Sequence, residues 1–141
     1  MDDITVSIVS WSERRAEIVS VRRVVFIEEQ NVPESLELDG KDPDCRHVLA
    51  CDNSGAPVGT ARINASGRIG RMAVLREYRR LGIGREILHV IMDCGRANGI
   101  TDFHVSSQVS AIGFYEKMGF VPHGEEYEEA GIMHIAMKLP N

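Results

Sequence analysis

At 141 residues, 43% of them hydrophobic and 26% charged, the chain has the length and balance of one globular domain rather than of a disordered or fibrous protein. A net charge of −5 argues against a general nucleic-acid binder, and no apolar run is long enough to span a bilayer. Asp2 and Asp3 stand where a secretion signal would be basic and then apolar, so a cytoplasmic protein is expected, and Cys45, Cys51 and Cys94, odd in number and without C-x-x-C spacing, indicate neither a disulfide framework nor a metal site.

Ile4, Val6 and Ile8 alternate with Thr5, Ser7 and Val9 as in a strand. Ser12 is placed to cap a helix over residues 13–29, where Ile18, Val21 and Val25 recur at helical spacing until Asn31 and Pro33 stop it. Residues 30–46 mix acids with Asn31, Pro33, Gly40 and Pro43 and predict a long exposed acidic loop, or a loop with one short helical turn. Residues 47–51 and 57–63 read as a hairpin closed by Asp52, Asn53, Ser54 and Gly55, and a second turn at residues 64–67 leads into a strand over 68–74. The three strands form an antiparallel meander.

That meander ends in the stretch around which the chain is organised, residues 70–85. A strand containing Met72, Ala73 and Val74 passes through a short basic connection into Arg79, Arg80, Leu81, Gly82, Ile83, Gly84 and Arg85, which open a helix. The first turn of a helix leaves backbone N–H groups unpaired at the positive end of its dipole, so an anion can take them up. Two glycines remove the Cβ atoms that would hold a diphosphate away, and three arginines add charged donors. A glycine-rich turn on a basic surface would look the same, so the motif alone leaves both readings open. Arg62, Arg68, Arg71, Arg76, Arg79, Arg80 and Arg85 face only Glu77 across residues 62–85, whereas Glu28, Glu29, Glu34, Glu37, Asp39, Asp42 and Asp44 face only Lys41 across residues 28–44. One region suits an anion and the other a cation.

The apolar face Ile83, Ile87, Leu88, Ile91 and Met92 continues the helix to Asn98 and Gly99. A strand over 101–106 must then run parallel to the strand before the helix if the crossover is right-handed. A short helix over 109–118 closes at Gly119, and two last strands, at about 120–123 and 132–139, flank an acidic loop carrying Glu125, Glu126, Glu128 and Glu129.

This order of elements resembles the GCN5-related N-acetyltransferase (GNAT) superfamily over nearly the whole chain. The resemblance rests on two separate signals: the Arg79 to Gly84 turn, and Gln108, Val109, Ser110, Ala111, Ile112, Gly113, Phe114, Tyr115, Glu116, Lys117, Met118, Gly119, Phe120. Residues 25–33, reading Val-Phe-Ile-Glu-Glu-Gln-Asn-Val-Pro, and Gly131, Ile132, Met133, His134 look like a subgroup of small stand-alone bacterial members.

The resemblance implies a single α/β domain with a mixed, mostly antiparallel sheet, one splayed parallel pair and helices on both faces. It also implies acetyl-CoA as co-substrate and a small-molecule primary amine as acceptor, with no nucleic-acid or membrane partner and a homodimer left open. Met72 and Val74 would hold the pantetheine arm like an added strand, amides of Leu81 to Arg85 the diphosphate, and a backbone N–H near Ala73 the oxyanion. Tyr115 would be the general acid for the departing thiolate. Arg71 stands where many members carry a glutamate, and Gln108 where an asparagine is common. A base must therefore be sought elsewhere, with Glu28, Glu29, Asp39 and His134 as candidates, while the missing acid also fits a catalytically silent acyl-CoA-binding module. A peptide or protein amine is the third reading. His47, His104 and His123 are spread too widely for a metal site.

Overall fold

The computed structural model describes residues 3–140. Seven strands form one sheet in the order β1-β2-β3-β4-β5-β7-β6: β1 (Thr5–Val9), β2 (Arg46–Cys51), β3 (Pro57–Ile63), β4 (Arg68–Val74), β5 (His104–Gln108), β6 (Val121–Glu129) and β7 (Ile132–Lys138). All neighbouring pairs are antiparallel except β4 and β5, which pair in parallel through Arg68–His104 and Ile69–Val105. Beyond those two rungs the strands part. The connection between them is α3 (Ile83–Ala97), a crossover of the kind parallel strands require.

Alternation along the strands sends successive side chains to opposite faces. Gly59, Ala61 and Ile63 face α3: a Cβ on Gly59 would stand 2.8 Å from Ile87 Cδ1, and Ile63 Cδ1 lies close to Gly95 of the helix. A Cβ on Gly95 would stand 2.8 Å from the Phe103 ring, so this helix approaches its sheet as closely as it does only because residue 95 is glycine. Thr60 and Arg62 turn to the other face, which is covered by α1 (Trp11–Arg22) through Ile18, Val21 and, in its continuation, Val25. Helices therefore lie on both faces, and the main core sits under α3 with Val105, Phe120 and Met137.

Several expectations from the sequence are corrected. The position before α1 is Ser10, whose side chain makes no capping bond to the helix, and the Ser12 hydroxyl bonds Ser10 Oγ at 2.9 Å instead of capping. The helix does run on to Glu29, but its last seven residues, Arg23–Glu29, are wound as π-helix. The strand expected over 101–106 lies at His104–Gln108, which puts Gln108 on the sheet. The acids expected in a loop near the C-terminus lie on β6, and the turn is a tight one at Ala130 and Gly131, both with positive φ.

The largest correction concerns residues 30–46. They form α2 (Glu34–Glu37) and a single turn at Asp42–Asp44, and Glu37, Asp39 and Asp42 are taken up by arginines rather than free for a cationic ligand. Arg22, 1% exposed on α1, donates to Glu37 at 2.5 Å and to Asp42 at 2.6 Å. Arg62 grips both oxygens of Asp39 and reaches Asp42 at 2.8 Å, and Arg71 binds Asp39 and the Leu36 and Glu37 carbonyls. The basic and acidic regions read from the sequence thus meet each other. Buried charges are tolerable when each is paired and hydrogen-bonded, and the pairing straps the segment across the α1 side of β3 and β4.

Candidate active site

The site is built where β4 and β5 part. On β3, Ala61 alone faces Arg71 and Met72, because Arg62 pairs with Gly70 and Thr60 with Ala73. This bulge puts Arg71 at φ 51, a left-handed conformation unusual for a non-glycine residue, and bends β4 away from β5. Leu75 N–H donates to Val58 C=O at 2.9 Å, so by strand alternation Ala73 also turns its backbone toward β3. Of the backbone groups near Ala73, where an oxyanion donor is expected, Ala73's own therefore points away from the gap. The backbone groups of Met72 and the N–H of Val74 point into it, while the Val74 carbonyl accepts a bond from Arg79 Nε at 2.9 Å.

Beyond β4, the chain reaches α3 through a loop in which Arg80 (φ 65) and Gly82 (φ 84) are left-handed on either side of Leu81. Alternating handedness turns successive N–H groups toward one side, a geometry that cradles anions. The first turn of α3 carries no side-chain cap, leaving the amides near Ile83 to Arg85 open. Arg80 and Arg85 are exposed and make no ion pair among the described residues, whereas Arg79 is held by Glu29. Gly84 lies against the Phe114 ring, 3.4 Å from where its Cβ would stand, which joins the loop to α4 (Ile112–Lys117).

On α4, Tyr115 packs edge-on between Phe114 (5.0 Å) and Phe120 (5.7 Å) and is 8% exposed. Burial among apolar rings pushes its phenol up to about 12, so at neutral pH it keeps its proton and can serve as a proton donor rather than as a base. It lies on the α3 side of the sheet.

The opposite face carries the other candidates. Gln108 and His134 are sheet partners, as are His134 and Tyr127. Gln108 Nε2 donates to Gln30 Oε1 at 2.8 Å, joining the end of the first helix to β5 across the parted strands. His134, 8% exposed, donates from Nδ1 to the Ile132 carbonyl at 2.7 Å and stacks on Tyr127 at 6.0 Å, and the Tyr127 hydroxyl is hydrogen-bonded to Ser106. Away from the gap, where β4 and β5 still pair, the sheet borders a groove of about 480 Å³ lined by Arg68, Asp102, His104, His123, Tyr127 and Lys138.

The proposed bases separate clearly. Glu29 is held by Arg79 and, more loosely, by Arg76, and the Arg79 hydrogen bonds keep its carboxyl below the ordinary range. Asp39 is likewise held far down by Arg62 against the opposing effect of burial. Glu28 is exposed and makes no ion pair among the described residues. Tyr127 and Gln30, which the sequence reading did not single out, join His134 and Gln108. The strand register reveals Tyr127 and the bond from Gln108 reveals Gln30, although Gln30 lay inside the 25–33 motif.

A family model described as an acetyltransferase (GNAT) domain matches residues 14–140. The chain belongs to the GNAT acetyltransferase family. It is an acyltransferase of that family, whose members act on amines. It is 39% identical over 123 residues to a candidate acetyltransferase of Bacillus subtilis (strain 168), covering 83% of each chain. The Escherichia coli protein ElaA is 33% identical over 129 residues, covering 85% of this chain and 83% of that one, and its crystal structure aligns over 99% and 100% of the two chains with a TM-score of 0.83. An acyl-CoA N-acyltransferase from Pseudomonas aeruginosa aligns with a TM-score of 0.82 at 26% identity, over 99% and 100%. Among the described residues of this GNAT chain, no helix is long and apolar enough to cross a membrane.

Proposed function

We propose that the protein transfers the acetyl group of acetyl-CoA to the primary amine of a small molecule. The observation that carries the reading is the gap beyond the Ile69–Val105 rung, into which Met72 and Val74 turn backbone groups with no strand to receive them. An extended pantetheine arm supplies amide groups at strand spacing and fits as an added strand. Leu81 to Arg85, with Arg80 and Arg85, offer the amides and charges a diphosphate needs, and Arg79 shapes the loop from behind.

Acetyl-CoA supplies the thioester. The chain's part is to hold that group between its two faces, with Met72 and Val74 amides facing developing negative charge and Tyr115 donating a proton to the departing sulfur. A cytoplasmic location is part of the same proposal, since acetyl-CoA is available there.

Free thiol release, measured with acetyl-CoA and a panel of small primary amines beside a peptide with a free N-terminus, tests the assignment. Amine-dependent release with the small acceptors is expected. Tight acetyl-CoA binding without release from any amine would make the protein a silent acyl-CoA-binding module, and release with the peptide alone would reassign the acceptor.

A further inference from the structure

We infer that His134 is the base that takes the proton from the acceptor amine, and that Tyr127 positions it. The inference rests on the N-acetyltransferase reading above. Acyl transfer needs an unprotonated nitrogen, and Arg71 occupies the strand position from which a carboxylate could otherwise act, its guanidinium tied to Leu36, Glu37 and Asp39. Glu29 and Asp39 are each clamped by an arginine.

His134 is different because its tautomer is fixed. The Ile132 carbonyl can only accept, so the bond at 2.7 Å requires the proton on Nδ1 and leaves the lone pair of the neutral ring on Nε2. The ring cannot readily turn: Tyr127 stacks on one side and is anchored through its hydroxyl to Ser106 on β5. The groups facing the ring are Glu129 and Tyr127 from β6, and from β5 the uncharged Ser106 and Gln108, the latter held by Gln30. Glu129, whose nearer oxygen is 3.8 Å from Nε2, is the one carboxylate among them and can steady the imidazolium once it forms. His134 sits one strand beyond β5 from the gap, on the face opposite Tyr115. A proton can thus leave nitrogen on one side of the sheet while another reaches sulfur on the other.

The balance is complete without a further reactant. The ammonium gives one proton to Nε2, and the freed lone pair forms the C–N bond to the carbonyl carbon. The C–S bond breaks with its electron pair on sulfur, which takes the Tyr115 proton, and the second proton lost from nitrogen restores the phenol through solvent. The imidazolium returns its proton to water.

The test compares the wild-type enzyme with His134→Asn, which keeps a donor for the Ile132 carbonyl, and Tyr127→Phe. The acceptor is the best amine of the panel, and kcat/KM is followed against pH. His134→Asn should lose at least about 100-fold in kcat/KM and the fall in rate on the acid side, with acetyl-CoA affinity unchanged. Tyr127→Phe should lose less and shift the acid limb, because it loosens the ring without removing it. Nitrogen NMR of the neutral imidazole should show the proton on Nδ1. Wild-type kcat/KM and acid limb in His134→Asn, or a proton on Nε2, would overturn the assignment. An enzyme active with no amine would instead overturn the N-acetyltransferase reading itself, so the two failures are distinguishable.

Discussion

Arg79 donates from Nη1 and Nη2 to the two carboxylate oxygens of Glu29, both at 2.7 Å, across fifty residues of sequence. A parallel pair of this kind fixes direction as well as distance. It ties the end of the first helix, whose next residue is Gln30, to the loop that opens α3. Glu29→Gln should therefore act on the donor side: acetyl-CoA affinity measured by calorimetry falls several-fold, while kcat at saturation changes little. A large loss of kcat with unchanged affinity would mean that Glu29 works on the chemistry.

Tyr115→Phe removes the proton donor and leaves the ring. The expected outcome is a fall in kcat of about 100-fold or more with acetyl-CoA binding retained. The same variant carries a stability signature. The folded protein holds the phenol neutral to about pH 12, whereas an unfolded tyrosine ionises near pH 10, so folding binds the proton more tightly and stability declines as pH rises from about 10 to 12. In denaturant titrations, Tyr115→Phe should lose that part of the decline.

The network under α1 sets the response to acid. Burial alone would raise Asp42, but Arg22 and Arg62 outweigh it, and Arg62 holds Asp39 down more strongly still. Both carboxyls thus sit below their unfolded values, and the stability they contribute is present above about pH 4 and lost as pH falls through the folded values. Asp39→Asn should flatten this acid-side loss. Arg22→Ala removes the nearest partner of buried Glu37, leaving Arg71 at 3.6 Å, and leaves Asp42 to Arg62 alone, and should cost about 3 kcal/mol in urea titrations.

Gly67 has φ +91, and a Cβ there would stand 1.7 Å from the Asp102 carbonyl oxygen, a backbone atom that cannot step aside. The same glycine accepts from His104 N–H at 3.1 Å, at the start of the parallel rungs. Gly67→Ala should destabilise by more than about 2 kcal/mol and lower activity by disturbing β5. Melting temperature and kcat/KM report the two effects separately.

The proposed donor half of the site could be argued from the sequence because its signals are local. Gly82 and Gly84 stand beside the arginines they serve, and the Gln108 to Phe120 segment repeats a family pattern without gaps. The acceptor half depends on distance in sequence. Nothing near Glu37 or Asp42 marks them as partners of Arg22 and Arg62, so a buried ionic strap read as an exposed loop. The left-handed Arg71 at the bulge gives no compositional sign, since strain of that kind is imposed by β3. His134 was visible as a motif member, but its fixed tautomer follows from the Ile132 carbonyl and the Tyr127 stack, which only the β6–β7 register brings together.

The central claim is that an acetyl group passes from coenzyme A to an amine within this fold. Acetyl-CoA labelled with carbon-13 at the carbonyl, mixed with the protein and a primary amine and followed by NMR, tests it most directly. The account predicts that the thioester signal is replaced by an amide signal at a rate set by protein concentration, and only when amine is present. A thioester signal that persists with every amine, or decays to free acetate regardless of amine, would contradict it.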